Sequence, residues 1–355
     1  MTEIEKIIKK NIKSNGSISI EEYITISLYH PKYGYYTKNN IIGKKGDFIT
    51  SPEVSQVFGE LLGLFMTDYW NLNDRPNKSI LVDLGGGNGT MMNDCLRAID
   101  KVNTKYSQSL KPIFIETSNQ LAIKQYNLVP NSTIYKDFDK IPNTYMGLIA
   151  NEFFDALPIK QYIKVNNNWH ERLIDIDPKN DQKLRFTYSK NPTKKIGLLR
   201  NISSKYKILE FCPSAINIIK EITKKIINYG GIALIIDYAI QKDDYYGTLQ
   251  AIKNHKYINP LSKPGLIDLS ARVDFNMIKK ISLYNGATVH GPINQNKFLK
   301  NLGIDVRCQQ LINANPDKTE QIKLEYHKLM SDEEMGSLFK VIAITNKKSP
   351  IPAGF

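Results

Sequence analysis

From residue 79 onward the chain alternates short apolar runs with longer amphipathic stretches. The runs SILVDLG, PIFIETS, STIYKDF, MGLIANEFFDALP and GIALIIDYA are separated by helical spacing at 90–101, 118–127 and about 213–228. Apolar runs of this kind are strands buried on both faces, so the pattern predicts a parallel sheet with helices on either side. ATVHGPI and LFKVIAIT supply two more strands near the C-terminus. The expectation is an α/β fold on a mostly parallel seven-stranded sheet.

Residues 1–78 read differently, as helices with loops, and are assigned to an N-terminal helical region. In SISIEEYITISLYHPKYGYYTK, Ser19 and Glu22 stand at capping-box spacing. In SPEVSQVFGELLGLFMTDYWNL, Ser51 or Pro52 opens a helix whose Val54, Val57, Phe58, Leu61, Leu62, Leu64 and Phe65 recur at helical spacing. Residues 79–355 form the core, interrupted twice. The stretch 159–200 alternates as β-ribbons broken by Asn-rich and Asp-Pro turns, and about 241–337 is mostly loop and helix. Both insertions are expected at the C-terminal edge of the sheet, where open α/β folds bind ligands.

Composition narrows the class. With 355 residues and 41% hydrophobic content the chain buries a large core. No apolar run approaches the ~20 residues that cross a bilayer, so membrane insertion is not expected. Glu3 and Glu5 among the first lysines speak against a signal or transit peptide, and the expectation is a cytoplasmic protein. Cys95, Cys212 and Cys308 form no CxxC pair, the five histidines show no ligand spacing, and no metal site is expected. The net charge of +13 raises nucleic acid as a partner. Its lysines are scattered beside Asn and Ile, without a basic groove interleaved with aromatics, which disfavours that reading.

The candidate chemistry begins at ILVDLGGGNGT. A dinucleotide turn needs G-x-G-x-x-G; Gly85 and Gly87 satisfy its first two positions, but the third falls on Thr90. The spacing Gly85-x-Gly87-x-Gly89 is that of an S-adenosyl-L-methionine (SAM) turn, in which the backbone approaches the methionine part and ribose and an acid such as Asp83 orients the ammonium. A tight strand-to-helix turn without a ligand has the same spacing. Glu116 leaves an apolar run in PIFIETS, placed to accept hydrogen bonds from two ribose hydroxyls. Asp137 follows the third strand, as an adenine contact or an ordinary solvated loop acid. Asn151, Glu152 and Asp155 cluster after the next strand with Phe153 and Phe154, either facing the crevice or capping a helix.

These residues lie within stretches that resemble the MidA family of SAM-dependent methyltransferases: GDFITSPEVSQVFGELLG, LVDLGGGNGT, ETS, ANEFFDALPIKQY, WHERL, GGIALIIDYA, GTLQAIKNHKYINPL, PGLIDLSARVDF, GPINQNKFLKNLGI and MGSLFKVIAI. They run in family order from about residue 20 to 346. The resemblance implies a Rossmann-like SAM-dependent methyltransferase core with a helical N-terminal lid, an inserted β-ribbon and helical elements. It carries the cofactor positions onto Gly85, Gly87, Glu116 and ANEFFDALP. One branch of the family, a mitochondrial assembly factor for NADH dehydrogenase, is a protein arginine methyltransferase, which implies a protein substrate. Departures from the family pattern are Cys212 for a common Ser, Ala239 for a usual Gly and Arg272 for a frequent His or Asp. An Arg272 facing the cleft would oppose a cationic substrate.

Methyl transfer to a guanidinium needs carboxylates that orient one nitrogen and take its proton. Glu152 is assigned that role, Asp155 supports it, and Asn151 positions substrate or cofactor. Tyr36, Phe48, Thr50, Ser51 and Glu53 are expected to form the lid, with Thr50, Ser51 and Glu53 against the cofactor. Asp237, ending IALIIDY, is a second carboxylate candidate, and His255 is either functional or structural. Two other classes stay open: a SAM-binding assembly chaperone using the ribbon and the Tyr-rich YHPKYGYY as a surface, and an RNA methyltransferase. Oligomeric state, monomer or homodimer, is also open.

Overall fold

The computed structural model describes residues 1–37, 50–193, 205–253 and 256–355. Its central sheet has seven strands: β1 (Ser79–Leu84), β2 (Leu110–Ile115), β3 (Thr133–Tyr135), β4 (Tyr145–Asn151), β5 (Gly231–Tyr238), β6 (Thr288–Asn294) and β7 (Phe339–Thr345). They lie in the order β6-β7-β5-β4-β1-β2-β3. The pairs from β5 to β3 are parallel, and β7 runs antiparallel to both β5 and β6. Every residue of β1 and β4 is buried, which is why these strands read as unbroken apolar runs. The chain leaves β1 towards β2 and β3, then returns to β4 on the other side of β1. That reversal opens a crevice beyond the carboxyl ends of β1 and β4.

Apolar layers cover both faces. On one, helices Gln56–Leu72 and Thr90–Val102 pack with Phe298, Leu299, Ile304, Ile322 and Leu329 from the helices between β6 and β7. On the other, helices Pro213–Tyr229 and Phe275–Tyr284 contribute Ile219, Ile222, Ile226 and Ile278.

A third apolar cluster changes the expected division of the chain. Residues 1–78 do not pack as one region. Helix Glu3–Asn15 carries Ile4, Ile8 and Ile12 on one stripe, too little to bury alone. With Tyr23, Ile24 and Leu28 it packs on Ile159, Ile174, Ala251 and Leu269 of the insertions. The short strand Ile18–Ser19 pairs antiparallel with Leu173 and Ile174, adding an edge to the ribbon sheet. Helix Gln56–Leu72 belongs to the central core instead. Within the ribbon, strands Lys160–Val165 and Asn168–Asp177 join through Asn166 and Asn167, with φ of 46° and 65°. Positive φ at both central residues is the primed turn that matches strand twist, and Asn tolerates it. No helix among the described residues is long and apolar enough to cross a membrane.

Candidate active site

A cavity of about 500 Å³ occupies the crevice beyond β1 and β4. The turn after β1 forms its floor. Gly85, Gly87 and Gly89 have φ of 75°, 53° and 88°, a region that side chains with a Cβ resist. A Cβ on Gly85 would stand 2.6 Å from the Phe153 ring, and one on Gly86 would stand 2.7 Å from Asp83 Oδ2. The turn is therefore shaped by the protein's own packing as much as by any ligand. Gly86, outside the G-x-G-x-G positions, is equally constrained.

Asp83 is 1% exposed, and neither of its carboxylate oxygens has a partner among the described residues. Burial, with Glu116 nearby, pushes its pKa up to about 8. A buried carboxylate without donors is costly, so this is a position that a ligand's N–H groups or positive charge would stabilise. Asn151 Oδ1 is likewise buried, without a donor among the described residues.

Glu116 follows β2, its main-chain N–H donating to Tyr135 O at 2.9 Å. Its carboxylate accepts Ser118 N–H at 2.7 Å and Gln125 Nε2 at 3.2 Å. Burial raises its pKa. Gln125 also donates to Gly87 O at 2.9 Å, tying the acid to the glycine turn. Nothing in the pattern singled out Gln125; its fully buried place on the helix Asn119–Leu128 is a tertiary fact. Asp137 stands exposed at the cavity rim beside Lys136 and Asp139.

At the end of β4, Glu152 has φ of 52°, a left-handed conformation that costs a non-glycine residue about 1–2 kcal/mol. Its Oε1 accepts Ser51 N–H at 2.8 Å and Asn151 Nδ2 at 3.2 Å. Burial, offset by these donors and reinforced by Asp155, pushes its pKa up to about 8; burial brings Asp155 to about 7. Both carboxylates line the cavity.

Three further candidates take definite places. Asp237 does not face the cavity. Wholly buried, it accepts Phe153 and Phe154 N–H at 3.1 and 2.8 Å and Tyr238 N–H at 2.8 Å, so it holds the loop after β4 rather than an acceptor. Ser51 meets the site at Glu152, to which its main-chain N–H donates at 2.8 Å, and its buried hydroxyl also lies 3.7 Å from Met335 Sδ. Arg272 is not among the residues lining the cavity; its Nη1 donates to both Asp244 oxygens at 2.9 and 2.8 Å, its guanidinium lies 4.8 Å from the Tyr238 ring centroid, and it does not oppose a cation in the cleft. Ala239 is not among the positive-φ residues, so the missing glycine imposes no strain. Cys212 Sγ lies 3.5 Å from Pro158 O, below the same loop. Phe48 and His255 lie outside the described residues.

The N-terminal segment does meet the turn. Thr50 and Glu53 line the cavity, and Glu53 Oε1 accepts Thr90 Oγ1 at 2.7 Å and Asn88 Nδ2 at 3.2 Å. Tyr36 donates to Asp268 Oδ1 at 3.4 Å, and its carbonyl accepts Ser118 Oγ at 2.9 Å. Sequence reading missed Tyr29 and Asp268, both lining the cavity. Among the described lining residues the carboxylates are Glu53, Asp83, Glu116, Asp137, Asp139, Glu152, Asp155 and Asp268, against one cation, Lys136. In a chain of net charge +13, this cavity is built for a positively charged occupant.

Known proteins bear on that reading. A family model described as S-adenosyl-L-methionine-dependent methyltransferase matches residues 61–293. The chain is 36% identical to the mitochondrial protein arginine methyltransferase NDUFAF7 of Xenopus laevis, over 97% of this chain and 86% of the relative. It is 33% identical to the protein of that name from Homo sapiens, over 94% of this chain and 81% of the relative. Among solved structures, a COG1565 superfamily member from Burkholderia thailandensis bound to S-adenosyl-homocysteine superposes with a TM-score of 0.86. That likeness covers 99% of this chain and 94% of the other, at 23% identity, and speaks to the fold.

Proposed function

The chain belongs to this family of S-adenosyl-L-methionine-dependent methyltransferases, and from that premise we propose that it is a protein arginine N-methyltransferase. The observation that carries the reading is the row of carboxylates around the cavity of a basic protein. The printed names of the relatives, protein arginine methyltransferase, point the same way. An RNA acceptor, a polyanion, is repelled by the same lining.

The residues present fit the cofactor. When bound, it supplies an electrophilic methyl on a sulfonium. Asp83 and Asn151 offer buried acceptor atoms without donors, suited to its ammonium, and Glu116 offers a carboxylate at the end of β2 for the ribose. Asp137 and Phe138 line the rim, where they would hold the adenine. Thr50 and Glu53 complete the wall over the glycine turn.

Glu152 and Asp155 are the acceptor-side pair. A guanidinium is a weak nucleophile because its lone pairs are delocalised. Paired to carboxylates, one nitrogen is held in line with the methyl and its electron density is raised. With the cofactor bound, the nitrogen would take its methyl as the thioether leaves, and Glu152 or Asp155 would take the nitrogen's proton. Glu152, held by Ser51 and Asn151 at its Oε1, is the general base in this reading, with Asp155 beside it. Comparing the methylated arginines of cellular proteins between wild-type cells and cells lacking this gene tests the proposal by mass spectrometry. Arginine sites lost in the deletion support it; lost sites on other residues, or none lost, refute it.

A further inference from the structure

The insertions bring a second acidic wall to the cavity, one that the methyltransferase core does not supply. Asp268 opens the short strand Asp268–Ser270, in the three-stranded sheet formed by the second insertion. That strand is locked beside the acceptor-side loop: Ala271 donates its main-chain N–H to Asp155 O at 2.9 Å. Two tyrosines from the N-terminal region line the cavity beside them. Tyr36 donates to Asp268 Oδ1 at 3.4 Å, and Tyr29 donates to Ala156 O at 2.9 Å. Their rings lie 5.5 Å apart. Burial, together with the charges of Asp268 and Asp155, holds both phenols above their ordinary pKa, so each ring sits in the field of both carboxylates.

We propose that Asp268, with Tyr29 and Tyr36, forms a guanidinium-recognition wall facing Asp155, and so selects arginine over lysine as acceptor. This deepens the arginine reading above and rests on it. A guanidinium is flat and weakly hydrated; it stacks on an aromatic face and donates along its edges to more than one carboxylate at once. An ammonium is compact and strongly hydrated and gains less from a flat wall with acids at two edges. The wall also explains the placement of the first insertion and the N-terminal helices. Their shared apolar cluster fixes Tyr29 and Tyr36 against the loop after β4.

The test is binding of N-acetyl-arginine methylamide to the full chain saturated with S-adenosyl-homocysteine, measured by calorimetry. The lysine and citrulline counterparts are compared with it. The wild-type chain is expected to bind the arginine probe at least ~10-fold more tightly than either, the scale of one lost charge-assisted contact. Asp268→Asn is expected to weaken that probe by ~10-fold or more, with S-adenosyl-homocysteine affinity unchanged as the check on folding. Asp268→Glu is expected to recover part of the loss, and Tyr29→Phe, which keeps the ring, to keep the preference for arginine. Equal affinity for arginine and lysine probes, no binding of the arginine probe to the wild type, or an Asp268→Asn variant that binds it as well as the wild type overturns the proposal. Mass spectrometry of methyl transfer to an arginine- and lysine-containing peptide pool runs alongside. Methyl groups found only on other residues refute the arginine reading itself; arginine methylation with an unaltered Asp268→Asn variant refutes only the wall.

Discussion

Glu152 Oε1 accepts the main-chain N–H of Ser51 at 2.8 Å, joining two residues 101 positions apart. The contact closes the N-terminal segment over the end of β4, and it does so on the carboxylate assigned to proton transfer. Glu152 also bears a left-handed backbone, at a φ of 52°. Non-glycine residues keep such strain where the surroundings over-determine them, most often at functional sites.

Replacing Glu152 with Gln keeps an oxygen for Ser51 and removes the proton acceptor. Single-turnover methyl transfer is expected to slow by ~10²-fold or more, with cofactor affinity within ~3-fold of wild type. Glu152→Ala, which also frees Ser51, is expected to weaken the cofactor as well. A Gln variant with wild-type turnover removes Glu152 from the chemistry.

Gly85→Ala meets two obstacles, a φ of 75° and a Phe153 ring 2.6 Å from the new Cβ. The backbone share is about 1–2 kcal/mol, and the clash adds to it. Thermal unfolding of Gly85→Ala, Phe153→Ala and the double variant separates the two. The double variant is expected to be less destabilised than the sum of the singles, because the clash is gone while the backbone cost stays.

The carboxylates predict a linked pH dependence. Asp83, Glu152 and Asp155 have pKa values raised by burial to about 8, 8 and 7. Between the ordinary carboxylate range and these values the folded chain holds more protons than the unfolded chain. Stability of the cofactor-free protein therefore falls as pH rises from about 4 through 8. A cationic occupant favours the ionised forms, so cofactor affinity is expected to rise over the upper part of that window, with protons released on binding. Calorimetry in buffers of different ionisation enthalpy reads that release directly. Asp83→Asn is expected to flatten the stability curve, raise the melting temperature of the cofactor-free protein at pH 8 and weaken the cofactor. Proton uptake on binding, or a melting temperature that rises with pH up to 8, contradicts the assignment.

Asp237 and Arg272 mark the difference between holding the site and lining it. Asp237→Ala leaves the Phe153, Phe154 and Tyr238 N–H groups without their acceptor. At roughly 1–3 kcal/mol for each buried orphan, it is expected to lower stability and turnover together. Arg272→Ala breaks the pair with Asp244 outside the cavity and is expected to leave turnover within ~3-fold of wild type. Chemical denaturation with steady-state rates checks both.

The sheet was legible because strands buried on both faces have no choice but to read as apolar runs, as β1 and β4 do. The place of Glu116, Asn151, Glu152 and Asp155 at the cavity was legible for a related reason: a polar residue soon after such a run sits at the sheet's carboxyl edge. Asp237 met the same rule and broke it, because a strand-end acid can turn inward when neighbouring main-chain N–H groups need an acceptor. Tyr29, Gln125 and Asp268 carried no local signal. Tyr29 and Asp268 take their places from packing between the N-terminal helices and the second insertion, where Tyr36 and Asp268 meet across 232 positions, and Gln125 takes its place from its bonds to Gly87 and Glu116. The stripe on helix Glu3–Asn15 announced that it needed a partner but not which one.

The central claim is that this acidic cavity delivers a methyl group to an arginine nitrogen. The purified chain, incubated with heavy-methyl S-adenosyl-L-methionine and the soluble proteins of cells lacking its gene, tests it most directly by tandem mass spectrometry. The expected result is heavy methyl on arginine guanidinium nitrogens, at least ~10²-fold reduced with Glu152→Gln. Heavy methyl on lysine or on nucleic acid, or no transfer despite cofactor binding, contradicts it.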